Sequence, residues 1–177
     1  FLVAHPFQPE HLQPPVEVEP CGATTEDTMA RAKALLERLG RQVVTLKKSV
    51  PGFLVNRFAQ ALFRESLDLL EKDVATPADI DRAVKYAVGM RYASIGLLEY
   101  FDAVGFELER AIAENVYPTL CNTDKIQKIV SDGIRDGRTG QKAGEGLYRW
   151  DEDSLADFRV RLQEPFLKSV ENWSARK

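Results

Sequence analysis

Residues Val50–Lys72 read VPGFLVNRFAQALFRESLDLLEK, and the hydrophobic spacing of the chain changes within them. Pro51-Gly52 interrupts the chain, and from Phe53 onward apolar residues recur every three to four positions, as on one side of a helix. The apolar face is wider than a surface helix needs. The pattern therefore predicts a helix over 53–72 at the centre of a helical bundle.

Further along the chain, the segments with a clear period are helical. Thr76-Pro77-Ala78-Asp79 combines a capping threonine, a proline suited to the first helical position and an acid shortly after it, which predicts a helix to about Tyr86. Other helices are predicted over 97–104, 106–117, 123–135 and 154–173, with a glycine-rich loop at 137–146.

The first 50 residues follow a different pattern. Short runs rich in β-branched residues predict strands at 1–4, 15–18 and 42–46, and a capped amphipathic segment predicts a helix at 25–39. Three short strands and one helix cannot cover both faces of a sheet, so we expect one edge of a larger α/β domain. The predicted fold is thus mainly α, with an α/β part at 1–50 and an all-helical part at 51–177.

Composition and charge narrow the possible functions. The chain has 24 Lys+Arg, 27 Asp+Glu, a net charge of −3 and 44% hydrophobic residues, which is typical of a globular protein with a sizeable core. It has no basic cluster for nucleic acid or anionic lipid, and no apolar run of about 18 residues that could span a membrane. Cys21 and Cys121 are far apart, which favours free thiols. We therefore expect a cytoplasmic protein with neither a nucleic-acid nor a membrane partner.

Two kinds of site can be set aside. His5 and His11 have no third ligand at a usable spacing, so no metal site is predicted. The glycines never form G-x-G-x-x-G after a strand, so the chain has no dinucleotide-binding turn of its own. Because the chain opens at Phe1 inside a strand-like run without an initiator methionine, we expect it to be the downstream part of a longer protein.

A histidine and a glutamate form the most informative pair in the sequence. His5 ends one predicted strand and Glu17 lies in the next. If the strands are neighbours, the carboxylate can hold one imidazole nitrogen while the other faces a substrate, which is the arrangement of a general base. The alternative is a histidine satisfied at a strand end and a solvated glutamate on an edge strand.

Five motifs, in this order, resemble the L-3-hydroxyacyl-CoA dehydrogenase family. They are HPFQP with the later VEV (5–18), VPGFLVNR (50–57), TPADID (76–81), the stretch 89–99 and GQKAGEGLY (140–148). The match runs from Leu2 to about Trp150. It implies an all-helical substrate-binding and dimerisation domain, like the C-terminal domain of 6-phosphogluconate dehydrogenases, preceded by the residual edge of a Rossmann-type domain.

The resemblance also implies an activity and roles for residues. It implies NAD-dependent oxidation of a 3-hydroxyacyl group to a 3-ketoacyl group, with His5 as the catalytic base, Glu17 orienting it and Asn56 touching the substrate. NAD would be bound mainly by an upstream domain, so we expect this chain alone to be inactive. The substrate is a small molecule and the helical domain would form a homodimer. The alternative for Asn56 is a buried amide that caps a neighbouring helix.

Two positions bear on the substrate. Gln8 stands where the family usually has asparagine, which changes the expected contact with an acyl thioester. The stretch 89–96, GMRYASIG, is more similar to the gulonate dehydrogenase (lambda-crystallin) and carnitine dehydrogenase branch, in which Arg91 would pair with a free carboxylate. The alternative for Arg91 is a surface ion pair with Glu99 or Asp102.

These signals disagree about the substrate, because the loop at 140–148 has the form typical of acyl-CoA enzymes. We expect Gln8 and Arg91 to bind substrate, and an acyl-CoA to be that substrate. A free hydroxy acid is the alternative within the enzyme class. A non-catalytic helical dimerisation module is the alternative from another class.

Overall fold

The computed structural model describes the backbone of residues 1–174 and the side chains of residues 1–168. The chain forms two compact units. The first consists of Phe1–Phe58 together with the residues from Trp150 onward, and the second of Ala59–Arg149. The predicted domain boundary at residue 50 stays a proposal.

The first unit contains a sheet whose strands are β1 (Leu2–Pro6), β2 (Pro15–Pro20) and β3 (Gln42–Thr45), in the order β1-β2-β3. β1 is antiparallel to β2, and β2 is parallel to β3. Helix α1 (Glu26–Arg38) provides the crossover that a parallel pair requires. The strand-helix-strand pattern predicted from the sequence is confirmed.

β2 is the centre of this sheet and the most buried strand. Val16 and Val18 are buried on one face, and Glu17 and Glu19 alternate with them on the other. The central position explains the burial, because β2 has a neighbour on both sides whereas β1 and β3 each have one. The prediction of a solvated glutamate on an edge strand is therefore wrong for Glu17.

Helix α2 (Val55–Glu71) begins two residues later than predicted. Gly52 and Phe53 have φ values of +83° and +52°, so both lie in the left-handed region and form a turn before the helix. The helical spacing of the sequence includes Phe53, but its backbone is not helical. The difference matters because this turn adjoins the histidine and glutamate described below.

The second unit is helical. The predicted helix at Thr76 starts as expected, with the Thr76 hydroxyl accepting the Asp79 N–H, but it continues beyond Tyr86 through a π-helical turn. The elements are α3 (Pro77–Ala83), the π turn (Val84–Gly89), α4 (Met90–Tyr92), α5 (Leu97–Val104), α6 (Phe106–Val116), a 3₁₀ turn (Tyr117–Thr119) and α7 (Lys128–Arg135).

Helix α7 begins at Lys128, later than the predicted start at 123. The preceding residues are instead held against α2: the Cys121 N–H donates to the Glu65 carboxylate at 2.8 Å, and the buried Gln127 amide donates to the Arg64 carbonyl at 2.7 Å. These partners are more than 50 positions away in sequence, so a local helical pattern does not reveal them.

The last helix, α8 (Glu152–Ser174), belongs to the first unit. Asp151 caps it, because its carboxylate accepts the Ser154 N–H at 2.8 Å while its own N–H donates to the Ser154 hydroxyl at 2.8 Å. Accepting that N–H lowers the pKa of the Asp151 carboxyl. None of the helices in residues 1–174 is both long and apolar enough to cross a bilayer.

The core is smaller than the composition predicts. Among the described side chains, the buried hydrophobic residues are Val16, Val18, Leu46 and Leu67. Only Leu67 of α2 is buried, while Phe58, Leu62 and Phe63 on the same helix are exposed. The expectations of a sizeable core and of a central bundle helix are therefore wrong for the part of the chain that the structure describes, because those residues leave Phe58, Leu62 and Phe63 of α2 exposed.

Candidate active site

The register of the sheet places His5 directly opposite Glu17. Opposite residues in an antiparallel pair project to the same face, about 5 Å apart, so the side chains can meet. His5 Nδ1 lies 3.1 Å from the Glu17 carboxylate. Because a carboxylate only accepts, Nδ1 is the donor in this contact, and a neutral imidazole that makes it has its lone pair on Nε2. The imidazole is thus fixed in the tautomer of a proton acceptor.

Glu17 is fully buried and has three hydrogen-bond donors. One carboxylate oxygen faces His5 Nδ1, and the other accepts the Leu54 N–H at 2.8 Å and the Val55 N–H at 3.0 Å. These amides open α2, where free N–H groups and the helix dipole favour a negative charge. These three contacts fix the position of the carboxylate beside the imidazole, where it can compensate a positive charge on the ring.

Two aromatic rings surround the imidazole. The Phe53 ring stacks on it, with centroids 4.6 Å apart and planes 16° from parallel, and the Phe7 ring meets it edge-on at 4.8 Å and 67°. The His5 side chain keeps 31% of its surface exposed. One side of the imidazole thus stays accessible. Sequence reasoning missed both rings, although their places within HPF and PGF give a signal.

Asn56 lies in the first turn of α2 and is exposed. No hydrogen bond to its amide is found within the described residues, so its donors are available for a ligand. The alternative prediction of a buried amide capping a neighbouring helix is wrong. Asn56 belongs to the same unit as His5 and Glu17, and it follows directly after the amides that hold Glu17.

Gln8 follows β1 and is exposed. Its side-chain amide nitrogen donates to the Glu10 carboxylate at 3.2 Å, and its backbone carbonyl accepts from the Gln13 side-chain amide. The structure therefore places Gln8 in a polar loop next to the strand that carries His5. Its role in substrate binding stays a prediction.

Arg91 lies in the second unit, in α4, and is exposed. Its guanidinium carbon is 4.5 Å from the centroid of the Tyr100 ring, a cation–π contact. The alternative of an ion pair is wrong, because no salt bridge within the described residues joins Arg91 to Glu99 or Asp102. Glu99 instead accepts the Gly96 N–H at 3.0 Å and so caps the start of α5.

Sequence reasoning also missed Glu19. It lies on the same face of β2 as Glu17 and is 8% exposed, and one of its carboxylate oxygens is buried without a hydrogen-bond partner among the described residues. Burying a carboxylate without hydrogen-bond donors lowers the stability of the fold. Comparing Glu19 with Glu17 therefore separates the effect of burial on stability from that of hydrogen bonding. Within the described residues, no group of three or more His, Cys, Asp or Glu side chains could hold a metal ion.

Models of two protein domains match this sequence. The model of the 3-hydroxyacyl-CoA dehydrogenase C-terminal domain matches residues 52–150, and that of the 3-hydroxyacyl-CoA dehydrogenase NAD-binding domain matches residues 1–49. His5 and Glu17 fall in the part that matches the second model, and Asn56 and Arg91 in the part that matches the first.

Curated relatives agree with these matches. The chain is 33% identical to 5-formyl-3-hydroxy-2-methylpyridine 4-carboxylate 5-dehydrogenase of Mesorhizobium japonicum over 81% of this chain and 47% of the relative. It is 37% identical to L-carnitine dehydrogenase of Burkholderia mallei over 88% of this chain and 52% of the relative. The chain thus spans about half the length of these curated relatives.

Solved structures show the same fold. A structure of 5-formyl-3-hydroxy-2-methylpyridine 4-carboxylic acid 5-dehydrogenase, described as an NAD⁺-dependent dismutase, has a TM-score of 0.92 at 27% identity, covering 99% of this chain and 57% of that chain. (S)-3-Hydroxybutyryl-CoA dehydrogenase from Ralstonia eutropha has a TM-score of 0.61 at 28% identity, covering 86% of this chain and 53% of that chain.

The resemblance to this family and to its carnitine dehydrogenase branch is confirmed, as is NAD as the family's cofactor. More than half of the chain matches the C-terminal domain model. This chain belongs to the 3-hydroxyacyl-CoA dehydrogenase family of NAD-dependent oxidoreductases that act on CH–OH groups.

Proposed function

We propose that this chain supplies the proton-transfer half of an NAD-dependent hydroxy-acid or hydroxyacyl dehydrogenase, with His5 as the general base. The contact of His5 Nδ1 with a fully buried glutamate at 3.1 Å is the observation on which this rests. In the neutral imidazole this contact directs the lone pair to Nε2, as removal of a proton from a substrate hydroxyl requires, and the side chain is 31% exposed.

In this proposal, Nε2 of His5 takes the hydroxyl proton, and Glu17 stabilises the imidazolium that forms. Asn56 donates an amide N–H to the substrate oxygen as it becomes a carbonyl. The redox chemistry of the reaction would be supplied by NAD in the whole enzyme. In the reverse direction, the protonated His5 returns the proton to the oxygen of the carbonyl.

The residues of this chain do not fit the phosphates of NAD. Its glycines have no G-x-G-x-x-G spacing after a strand, and Gly144 and Gly146 belong to a tight loop in which a Cβ on Gly146 would lie 2.9 Å from the Cα of Gly140. We therefore assign no residue of this chain to the cofactor. That the chain alone is inactive, because it does not bind the nicotinamide nucleotide with useful affinity, stays a prediction. Titration calorimetry with NADH tests it, and a dissociation constant below about 10 μM, about −7 kcal/mol, would contradict it.

We propose a free hydroxy acid as the substrate class of the whole enzyme. The two curated relatives have carboxylate or carnitine in their names, and the dehydrogenase structure with a TM-score of 0.92 is named for a 4-carboxylic acid. Arg91 has no acidic partner within the described residues, so its guanidinium is available to a carboxylate. An acyl-CoA is the second candidate, supported by the family models and by the likeness to (S)-3-hydroxybutyryl-CoA dehydrogenase.

Arg91→Met distinguishes these substrates in the whole enzyme. A guanidinium binds a carboxylate through charge-assisted hydrogen bonds worth about 1.5 to 3 kcal/mol, while a thioester carbonyl gains little. We expect KM for a free 3-hydroxy acid to rise at least about tenfold, since 1.4 kcal/mol is one decade, and KM for an acyl-CoA to stay nearly constant. Steady-state kinetics with both substrates measure this.

Lys85→Met is the matched control, because Lys85 Nζ also lies over a tyrosine ring, 5.1 Å from the centroid of Tyr86. It should leave both KM values unchanged. A selective loss of acyl-CoA activity in Arg91→Met would contradict this role for Arg91.

A homodimer would explain the exposed apolar faces. Besides the α2 residues, Leu98, Phe106 and Leu108 of α5 and α6 are exposed. Exposed apolar patches on helices mark contact surfaces, and most oligomers of this kind are symmetric dimers. Light scattering of the whole enzyme should give twice the mass of one full-length polypeptide. The mass of a single full-length polypeptide would contradict the proposal.

A further inference from the structure

We propose that Phe53 is a positioning residue for the His5–Glu17 pair, which holds the imidazole in the plane that presents Nε2 to the substrate. This inference rests on the proposed function, because it assumes that His5 is the base. The Phe53 backbone has a conformation that aromatic residues rarely adopt.

Phe53 has a φ of +52°, in the left-handed region that glycine, and to a lesser degree asparagine, adopt easily. A bulky aromatic residue is strained there, and such strain persists where the side chain has a role. Glycine at this position would form the same turn without strain. The backbone turn alone therefore does not explain why a phenylalanine occupies it.

The contact of the Phe53 side chain gives that explanation. Its ring lies on the imidazole of His5 at 4.6 Å with the planes 16° apart, which is a stacked arrangement. Phe7 meets the same imidazole edge-on at 4.8 Å and 67°. The stacked ring blocks rotation of the imidazole out of its plane, and the edge-on ring limits its sideways movement.

The same turn also holds the second member of the pair. Leu54 and Val55, the next two residues, donate their N–H groups to Glu17 at 2.8 Å and 3.0 Å. The residues from Phe53 to Val55 therefore fix the imidazole through a ring and the carboxylate through two amides. Both contacts require the chain to turn at Gly52-Phe53, so one short segment positions both groups.

The stacked ring has an electrostatic consequence as well. During turnover His5 becomes an imidazolium, and a cation over the face of an aromatic ring is attracted by the ring's negative charge density. Phe53 therefore favours the charged form that appears only after proton transfer. Its effect should fall on kcat more than on KM, because it acts when the proton moves.

Three variants at this position test the inference in the whole enzyme. Phe53→Leu removes the aromatic ring, Phe53→Tyr keeps it, and Phe53→Gly removes it while relieving the backbone strain. We expect kcat to fall about tenfold or more in the leucine and glycine variants, with KM within about threefold, because small misplacement of a catalytic group is costly. Phe53→Tyr should retain most of the wild-type kcat.

Two further measurements separate positioning from folding. Phe53→Gly should unfold at an equal or higher urea concentration than Phe53→Leu, because glycine fits φ +52°. Nitrogen-15 NMR of His5 should show one tautomer, protonated at Nδ1, in wild type and Phe53→Tyr, and an average of both tautomers in the leucine and glycine variants.

A glycine variant with wild-type kcat and a single His5 tautomer would overturn the role of Phe53. That result is distinct from failure of the proposed function, which would appear as full activity in His5→Ala. If His5→Ala is inactive and all three Phe53 variants are fully active, only the inference about Phe53 is wrong.

Discussion

We expect His5→Ala to lower kcat of the whole enzyme by about 100-fold or more, and Glu17→Gln to have a comparable effect. The reason is that general base catalysis contributes about 10²- to 10⁴-fold and requires both the imidazole and the carboxylate that fixes its tautomer. Glu17→Gln keeps the size of the side chain, but its amide can donate to Nδ1 and so place the proton on Nε2, where it blocks base catalysis. Steady-state kinetics with NAD and a 3-hydroxy substrate measure both effects.

His11→Ala is the matched control for the first variant, because His11 is the second of the two histidines in the chain and is exposed. It should leave kcat unchanged. Unimpaired turnover in His5→Ala would exclude His5 as the base, whatever the behaviour of Glu17.

Glu17→Ala should destabilise the fold by about 3 kcal/mol, the second large effect. The carboxylate accepts the Leu54 and Val55 N–H groups, and hydrogen bonds to charged groups contribute about 1.5 to 3 kcal/mol each. Removing it leaves those amides without their acceptor in a site from which Glu17 is fully shielded. Urea denaturation followed by circular dichroism measures the loss.

Glu19→Ala is the control, since Glu19 is nearly as buried but has one carboxylate oxygen without a partner. Removing it should cost clearly less than removing Glu17, because a buried carboxylate without donors contributes little and can be destabilising. Equal losses in both variants would show that burial of the carboxylate, and not its hydrogen bonds, determines how much Glu17 contributes to the free energy of unfolding.

The pairing of His5 with Glu17 could be predicted from the sequence because it depends on local features. His5 and Glu17 lie in two strands joined by a short connection, and antiparallel pairing in register brings such residues together. The resemblance of the motifs to the dehydrogenase family implied the roles of base for His5 and of orienting carboxylate for Glu17. Thr76 and the helix that it caps were predictable for the same reason, because the residues that form a helix cap lie within four positions of each other in the sequence.

The amide contacts of Glu17 and the stacking of Phe53 on His5 could not be derived from local patterns, because they join distant parts of the chain. Glu17 accepts from amides 37 and 38 positions away, and the stacking of Phe53 depends on a left-handed turn that hydrophobic spacing does not reveal. Spacing placed Phe53 in the helix, since it counts side chains and not backbone angles. The start of α7 was missed for a similar reason, since Gln127 is fixed by Arg64.

The prediction of a sizeable core was wrong for a different reason. The apolar spacing of 53–72 correctly predicted a helix, but spacing does not say which molecule covers the apolar face. In the structure that face is exposed at Phe58 and Leu62. An unusually wide apolar face is thus better evidence for a contact surface than for a central position in the chain's own bundle.

The most direct test of the His5–Glu17 pair as one catalytic unit is a double-mutant cycle on kcat/KM. His5→Ala, Glu17→Gln and the double variant are compared with the wild type of the whole enzyme. If Glu17 acts only through His5, the double variant is little slower than His5→Ala, because the second change has nothing left to remove. Losses that multiply in full would contradict the account, since they would mean that the two residues act independently.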